Sequence, residues 1–206
     1  MGICKMITVL YASFDEPLSE ERWRYYISQV PPDIRNKILC YHRWQDRHAG
    51  LFGKLLLSEG LKRYGCSPEN LNHLSYTAFG RPYINNSNLD FNISHSGQYV
   101  VCAITEHGKI GIDIEQIKPI DLSGFEKYMT LTEWEEIRQS EMPYHAFYSY
   151  WTKKESVLKA CGYGLSVPLN KIVIDNLRAF FYSVEIQDYD GSGRDYNILF
   201  LKRNIF

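Results

Sequence analysis

Three strand-like runs follow one another in the middle of this chain with only short turns between them: Phe91–His95, Tyr99–Thr105 and Ile110–Glu115. Ser96-Gly97-Gln98 separates the first two, and Glu106-His107-Gly108-Lys109 leads into the third. They gather behind a helix expected from about Asp46 to Tyr64, where Leu51, Phe52, Leu55, Leu56 and Leu61 recur at helical spacing and Gly65 suits the C-cap. Strands clustered after helices, rather than alternating strictly with them, predict an α+β fold.

The remaining elements follow from the same signals. Alternation around Ile7, Val9 and Tyr11 predicts a first strand, and Ser19-Glu20-Glu21-Arg22 opens a helix that Pro31-Pro32 should end. Turns are expected at Phe79-Gly80-Arg81-Pro82 and along Asn85-Asn86-Ser87-Asn88. Downstream, Thr132 with Glu135 three residues on has capping-box spacing, and a long helix should run from Tyr144 to Cys161 and stop at Gly162. Strand-like runs at 172–174, 180–186 and 196–201 follow, the last two joined by the turn Asp190-Gly191-Ser192-Gly193. The halves are alike, helix then strands, so the expected units are residues 1–107 and 108–206, with no flexible linker between them.

Composition narrows the function classes. The 206 residues are 45% hydrophobic and 15% aromatic, enough for one sizeable core or two small ones packed together. A formal net charge of −1 offers no whole-chain field for nucleic acid. Five scattered cysteines (Cys4, Cys40, Cys66, Cys102, Cys161) contain no C-x-x-C pair, which fits free thiols in a reducing cytosol rather than a zinc site. The apolar run ending at Phe14 is too short for a membrane span and lacks a cleavage pattern. A cytoplasmic protein without membrane or nucleic-acid partners is expected.

The chemistry concentrates in two segments. Asp113 and Glu115 alternate with Ile112 and Ile114, so in a strand both carboxylates share one face, about 7 Å apart. Either that face is the solvated side of an edge strand, or something positive stands close by. A divalent cation such as Mg²⁺, which takes oxygen ligands, is the economical choice. In the second segment Trp151, Glu155 and Lys159 are spaced i, i+4, i+8 and share a helical face. On its own this is an ordinary surface ion pair. With the strand, the set suits a metal-bound pyrophosphate, the lysine offsetting charge that develops on a leaving phosphate. No phosphate-cradling G-x-x-x-x-G-K-[ST] loop and no G-x-G-x-x-G is present. Adjacent Ser94 and His95 point to opposite faces of a strand and cannot act as a nucleophile–base pair, and no G-x-S-x-G elbow supports a hydrolase.

These residues, in order, resemble a known family. Gly111-Ile112-Asp113-Ile114-Glu115 followed by Trp151-x-x-Lys154-Glu155-x-x-x-Lys159 is similar to the signature of the 4′-phosphopantetheinyl transferases. Gly80-Arg81-Pro82, Phe91-Asn92-Ile93-Ser94-His95-Ser96 and Gly162-Tyr163-Gly164-Leu165 also resemble that family's motifs. The length resembles the Sfp-type subgroup, implying a pseudo-twofold α+β monomer with coenzyme A between its halves. The implied reaction is Mg²⁺-dependent transfer of 4′-phosphopantetheine from coenzyme A to a serine of an apo acyl or peptidyl carrier protein, leaving adenosine 3′,5′-bisphosphate.

The resemblance also implies roles. Asp113, Glu115 and Glu155 would ligate Mg²⁺, while Lys159 and Lys154 would contact the phosphates. Ser94 and His95 would bind coenzyme A near its 3′-phosphate and adenine, and Arg43, Arg47 and Arg81 would meet phosphate. Glu133 matches a glutamate that closes the site in relatives, although a helix-start acid favoured by the macrodipole is as good an account of it. Glu133, Glu155 or a metal-bound water would accept the serine proton. The carrier contact is expected within 116–129. Alternative readings of the same residues are a Mg²⁺-dependent nucleotide pyrophosphohydrolase and a non-catalytic module that binds carrier proteins.

Overall fold

A computed structural model of the chain describes residues 7–106, 108–162, 164–175, 178–180, 184–187 and 196–203. Cys4, His107, Tyr163, the middle of the run 180–186 and the predicted turn Asp190–Gly193 lie outside the described residues.

The chain opens with β1 (Ile7–Ser13). Ser19 then caps α1 (Glu20–Ser28), its side chain accepting from the Arg22 N–H. The two prolines do not merely end that helix: they begin another, α2 (Pro32–Leu39). Proline is at home at a first helical position, because its fixed φ suits the helix and its missing N–H would have had no partner there. The longest helix, α3 (Trp44–Arg63), comes next, followed by a 3₁₀ segment over Pro68–His73. Strands β2 (Leu74–Tyr76) and β3 (Pro82–Ile84) pair around the expected turn at Gly80. The three central runs are β4 (Asp90–Ser96), β5 (Tyr99–Thr105) and β6 (Lys109–Gln116).

Helix α4 (Leu131–Gln139) starts two residues earlier than its sequence suggests. Thr130 and Glu133 form the capping box, not Thr132 and Glu135, because Glu133 is also held from the core side by the Ile174 N–H and Lys154. Helix α5 (Pro143–Cys161) ends where expected, with Gly162 in the left-handed region at φ 76°, which a residue without a Cβ adopts at no steric cost. Short strands β7 (Val173–Asp175), β8 (Arg178–Phe180) and β9 (Val184–Gln187) and the long β10 (Tyr196–Arg203) complete the chain.

The strands form two main antiparallel sheets, ordered β1-β5-β4 and β6-β10-β9-β8-β7. Helix α3 buries Leu57 and Leu61 against Phe91, Cys102 and Ile104 of the first sheet. Helix α5 buries Val157, Leu158 and Ala160 against Leu169, Ile172 and Ile174. A third cluster, Val101 and Ala103 of β5 with Ile110, Ile112 and Ile114 of β6, joins the two sheets.

The seam between the sheets is made by side chains. Strand β6 is the edge of its sheet, so alternate N–H groups lack a neighbouring backbone. Four polar side chains of β4 supply the acceptors. Ile110 N–H donates to Asp90 (2.7 Å), Ile112 N–H to Asn92 (3.0 Å), Ile114 N–H to Ser94 (3.4 Å) and Gln116 N–H to Ser96 (3.0 Å). The offset between partners is constant at 20 residues, so β4 and β6 run parallel. The alternation Asp90, Asn92, Ser94, Ser96 thereby satisfies a buried edge that would otherwise leave orphaned donors.

Candidate active site at the seam

The same seam sets the acidic residues. Period two in β6 turns Ile112 and Ile114 into the core and Asp113 and Glu115 to the other face, as the sequence requires. That face is not solvated: Asp113 is only 3% exposed. Ser94 Oγ donates to Asp113 Oδ1 at 2.8 Å, and Ser96 Oγ donates to Glu115 Oε2 at 2.8 Å. Each seam serine thus accepts from a β6 N–H and donates to the carboxylate one residue before it.

Helix α5 lies directly across this strand, and Gly111 is what allows it. A Cβ at Gly111 would sit 2.0 Å from the Ser156 carbonyl oxygen and 2.6 Å from the Ala160 nitrogen. The close crossing brings Lys159 onto Asp113: its Nζ lies 2.5 Å from Asp113 Oδ1 and 3.0 Å from Ser94 Oγ. Glu155, one turn earlier, lines a cleft of about 260 Å³ with Lys159, Asn92, Phe79 and Gly162.

The electrostatics are unbalanced toward negative charge. Burial, opposed by Lys159 and reinforced by Asp113 and Glu115, pushes the Glu155 carboxyl above its ordinary range. Burial likewise raises Glu115, partly offset by its bond from Ser96 and reinforced by Asp113. Three carboxylates therefore stand against Lys159, with Lys118 as a second ammonium acting on Glu115. Asp113 Oδ2 is buried and accepts no hydrogen bond, an oxygen with a free lone-pair site. Among the described residues no three His, Cys, Asp or Glu side chains stand close enough to form a ready-made metal cage. The donor set, all oxygen with surplus negative charge and one orphaned lone-pair site, nonetheless fits a hard divalent cation.

Three of the expected site residues have protein partners of their own. Glu133 is 2% exposed, and both its oxygens are taken: one by the Thr130 N–H (2.7 Å) and Lys154 (2.7 Å), the other by the Ile174 N–H (3.1 Å). Lys154, fully buried, spends its protons on Glu133 and on the carbonyls of Leu169 (3.0 Å) and Ile172 (2.6 Å). Arg81 donates to both oxygens of Asp90 and also lines the cleft of Glu155 and Lys159.

His95 turns from Ser94 to the opposite face, where it lines a second cavity of about 480 Å³ with Arg43, Asp46 and Lys118. Partial burial and then the Lys159 cation lower the pKa of its imidazole. Arg47 donates from Nε to the Tyr41 carbonyl at 2.7 Å. The sequence reading missed Asp90, Asn92 and Ser96; their signal was short polar residues at every second position of the strand, between Phe91, Ile93 and His95.

Comparison with known proteins agrees with this picture in both halves. A family model described as 4′-phosphopantetheinyl transferase superfamily matches residues 109–199, and one described as 4′-phosphopantetheinyl transferase, N-terminal, matches residues 16–107. The chain is 32% identical over 177 residues to 4′-phosphopantetheinyl transferase Sfp of Bacillus subtilis, covering 84% of this chain and 79% of the relative. It is 30% identical over 172 residues to 4′-phosphopantetheinyl transferase gsp of Aneurinibacillus migulanus, covering 82% and 72%. To the human L-aminoadipate-semialdehyde dehydrogenase-phosphopantetheinyl transferase it is 28% identical over 173 residues, covering 76% of this chain and 56% of that one. Among the described residues no helix is long and apolar enough to cross a membrane.

Proposed function

This chain belongs to the 4′-phosphopantetheinyl transferase superfamily, Sfp type, and we propose that it transfers 4′-phosphopantetheine from coenzyme A to a carrier-protein serine with Mg²⁺. Adenosine 3′,5′-bisphosphate leaves. The observation that supports the metal requirement is the buried Asp113 Oδ2, which accepts no hydrogen bond, on a carboxylate electrostatically coupled to Glu115 and Glu155. Asp113, Glu115 and Glu155 would hold the ion. When bound, it supplies positive charge against the pyrophosphate oxygens.

The protein's own residues then have distinct tasks. Ser94 and Ser96 fix the two strand carboxylates, so that no reorganisation is needed when charge arrives. Lys159 offsets the negative charge that grows on the departing bisphosphate. The carrier serine oxygen attacks the phosphorus bonded to the pantetheine arm, and the bond from that phosphorus to the bridging oxygen breaks. Of the residues named as proton acceptors, Glu155 lines the cleft, whereas both oxygens of Glu133 are engaged in the core. Glu155 is therefore assigned the serine proton. His95 with Arg43, and further along Arg47, would serve the nucleotide end of coenzyme A.

The carrier would approach the segment 116–129, next to a groove where Lys127, Tyr128, Trp151 and Val167 border Glu155. In this proposal the two halves are residues 1–107 and 108–206, and the protein acts as a cytoplasmic monomer. Incubation with coenzyme A and Mg²⁺, with and without an apo carrier, tests it. Adenosine 3′,5′-bisphosphate should appear only when carrier is present. Its release at the same rate without carrier would instead identify a pyrophosphohydrolase.

A further inference from the structure

Arg81 sits in the turn between β2 and β3, yet its guanidinium reaches three other elements. Nη1 and Nη2 donate to the two oxygens of Asp90 in β4, at 2.8 and 2.6 Å. Nη2 also donates to the Ile110 carbonyl of β6 (2.9 Å), and Nε donates to the Lys159 carbonyl of α5 (2.8 Å). Asp90 in turn accepts from the Ile110 N–H (2.7 Å) and Lys109 Nζ (3.2 Å). The side chains of Arg81 and Asp90 are 8% and 5% exposed. A guanidinium so engaged has almost no donor left for a ligand.

The bond to Lys159 ties this clasp to the reaction. A carbonyl in the last turn of a helix has no intrahelical N–H to accept from, and here Arg81 supplies the missing donor together with a positive charge at the negative end of the dipole. Gly162, which ends the helix, packs against the same side chain: a Cβ there would lie 2.9 Å from Arg81 Cδ. The clasp thus fixes the end of α5 against β6. Lys159 belongs to that end, and its ammonium reaches Asp113 from it.

We propose that Arg81 and Asp90 form a positioning pair that sets Lys159 against the acidic face of β6, acting through the Lys159 backbone rather than by touching coenzyme A. The inference rests on the transferase reading above. A lysine at this position has a single point charge and cannot span two carboxylate oxygens and two carbonyls in separate directions.

The test is steady-state transfer by the full chain, paired with direct binding of adenosine 3′,5′-bisphosphate. R81K and D90N should each lower kcat about tenfold or more while the KM for coenzyme A and the Kd for the bisphosphate stay within about twofold. The R81K/D90N double variant should be little worse than either single one, since both break one unit. If a single variant does not fold, R81M/D90L removes both buried charges together, leaves only the half-exposed Lys109 without its partner, and should show the same kcat loss with intact nucleotide binding. Weakened bisphosphate binding with kcat preserved would show Arg81 to be a phosphate ligand and overturn the proposal. So would a D90N enzyme, or a folded R81M/D90L enzyme, with unchanged kcat. Failure of the transferase reading is a separate result: wild-type protein that modifies no carrier at all.

Discussion

Ser94 Oγ lies 2.8 Å from Asp113 Oδ1, a bond between two strands that belong to different sheets. One hydroxyl therefore closes the seam by accepting from the Ile114 N–H and at the same time sets the carboxylate at the centre of the site. Lys159 meets the same two atoms, so the position of Asp113 depends on both halves of the chain.

S94A removes a donor to a charged group and leaves one β6 N–H without a partner. A hydrogen bond to a charged group contributes about 1.5–3 kcal/mol, so transfer efficiency should fall by roughly ten- to a hundred-fold. Kinetics with coenzyme A and an apo carrier, read beside a melting curve, check this. The melting temperature should fall less than the activity.

G111A tests the helix–strand crossing. The added Cβ would sit 2.0 Å from a backbone oxygen, which no side-chain rotation relieves. Overpacking of this kind costs about 1–3 kcal/mol, and the displaced α5 should also carry Lys159 away from Asp113. Denaturant unfolding should show the loss of stability, and transfer should fall further than stability alone explains.

Glu133 and Lys154 should matter to folding, not to chemistry. Removing one partner strands a buried charge: K154M or E133Q should destabilise by about 3–5 kcal/mol. Combining the two should recover part of that loss. Chemical denaturation of the two single variants and the double variant gives the answer.

The raised carboxyls of Glu115 and Glu155 predict a pH dependence of the protein free of divalent cations and coenzyme A. Their folded pKa lies above the unfolded one, so the folded state binds these protons more tightly. Their contribution to stability is therefore best with the groups protonated and declines as pH rises from the ordinary glutamate value toward the raised one. E115Q and E155Q should flatten that decline in melting temperature against pH relative to the wild type.

What the sequence disclosed was local periodicity. Asp113 with Glu115, and Glu155 with Lys159, could be grouped because period two and period four are properties of a single element. The protein partners of Arg81, Lys154 and Glu133 were not legible because they lie elsewhere in the chain: Asp90 across a turn, and Leu169, Ile172 and Ile174 beyond the end of α5. A buried cation and an exposed one look the same in a helical pattern. The side-chain seam of β4 was legible only as an odd alternation of polar residues, since nothing local says which strand lies alongside. Pro31-Pro32 shows the same ambiguity, one dipeptide fitting both the end of α1 and the start of α2.

The mass of an apo carrier protein after incubation with this enzyme, coenzyme A and Mg²⁺ tests the central claim most directly. The wild-type protein should add one phosphopantetheine per carrier serine. Folded D113A and E155A, and wild type with the divalent ion chelated, should leave the carrier unmodified. An unmodified carrier with the wild type, or near-normal loading by either variant, would contradict the account.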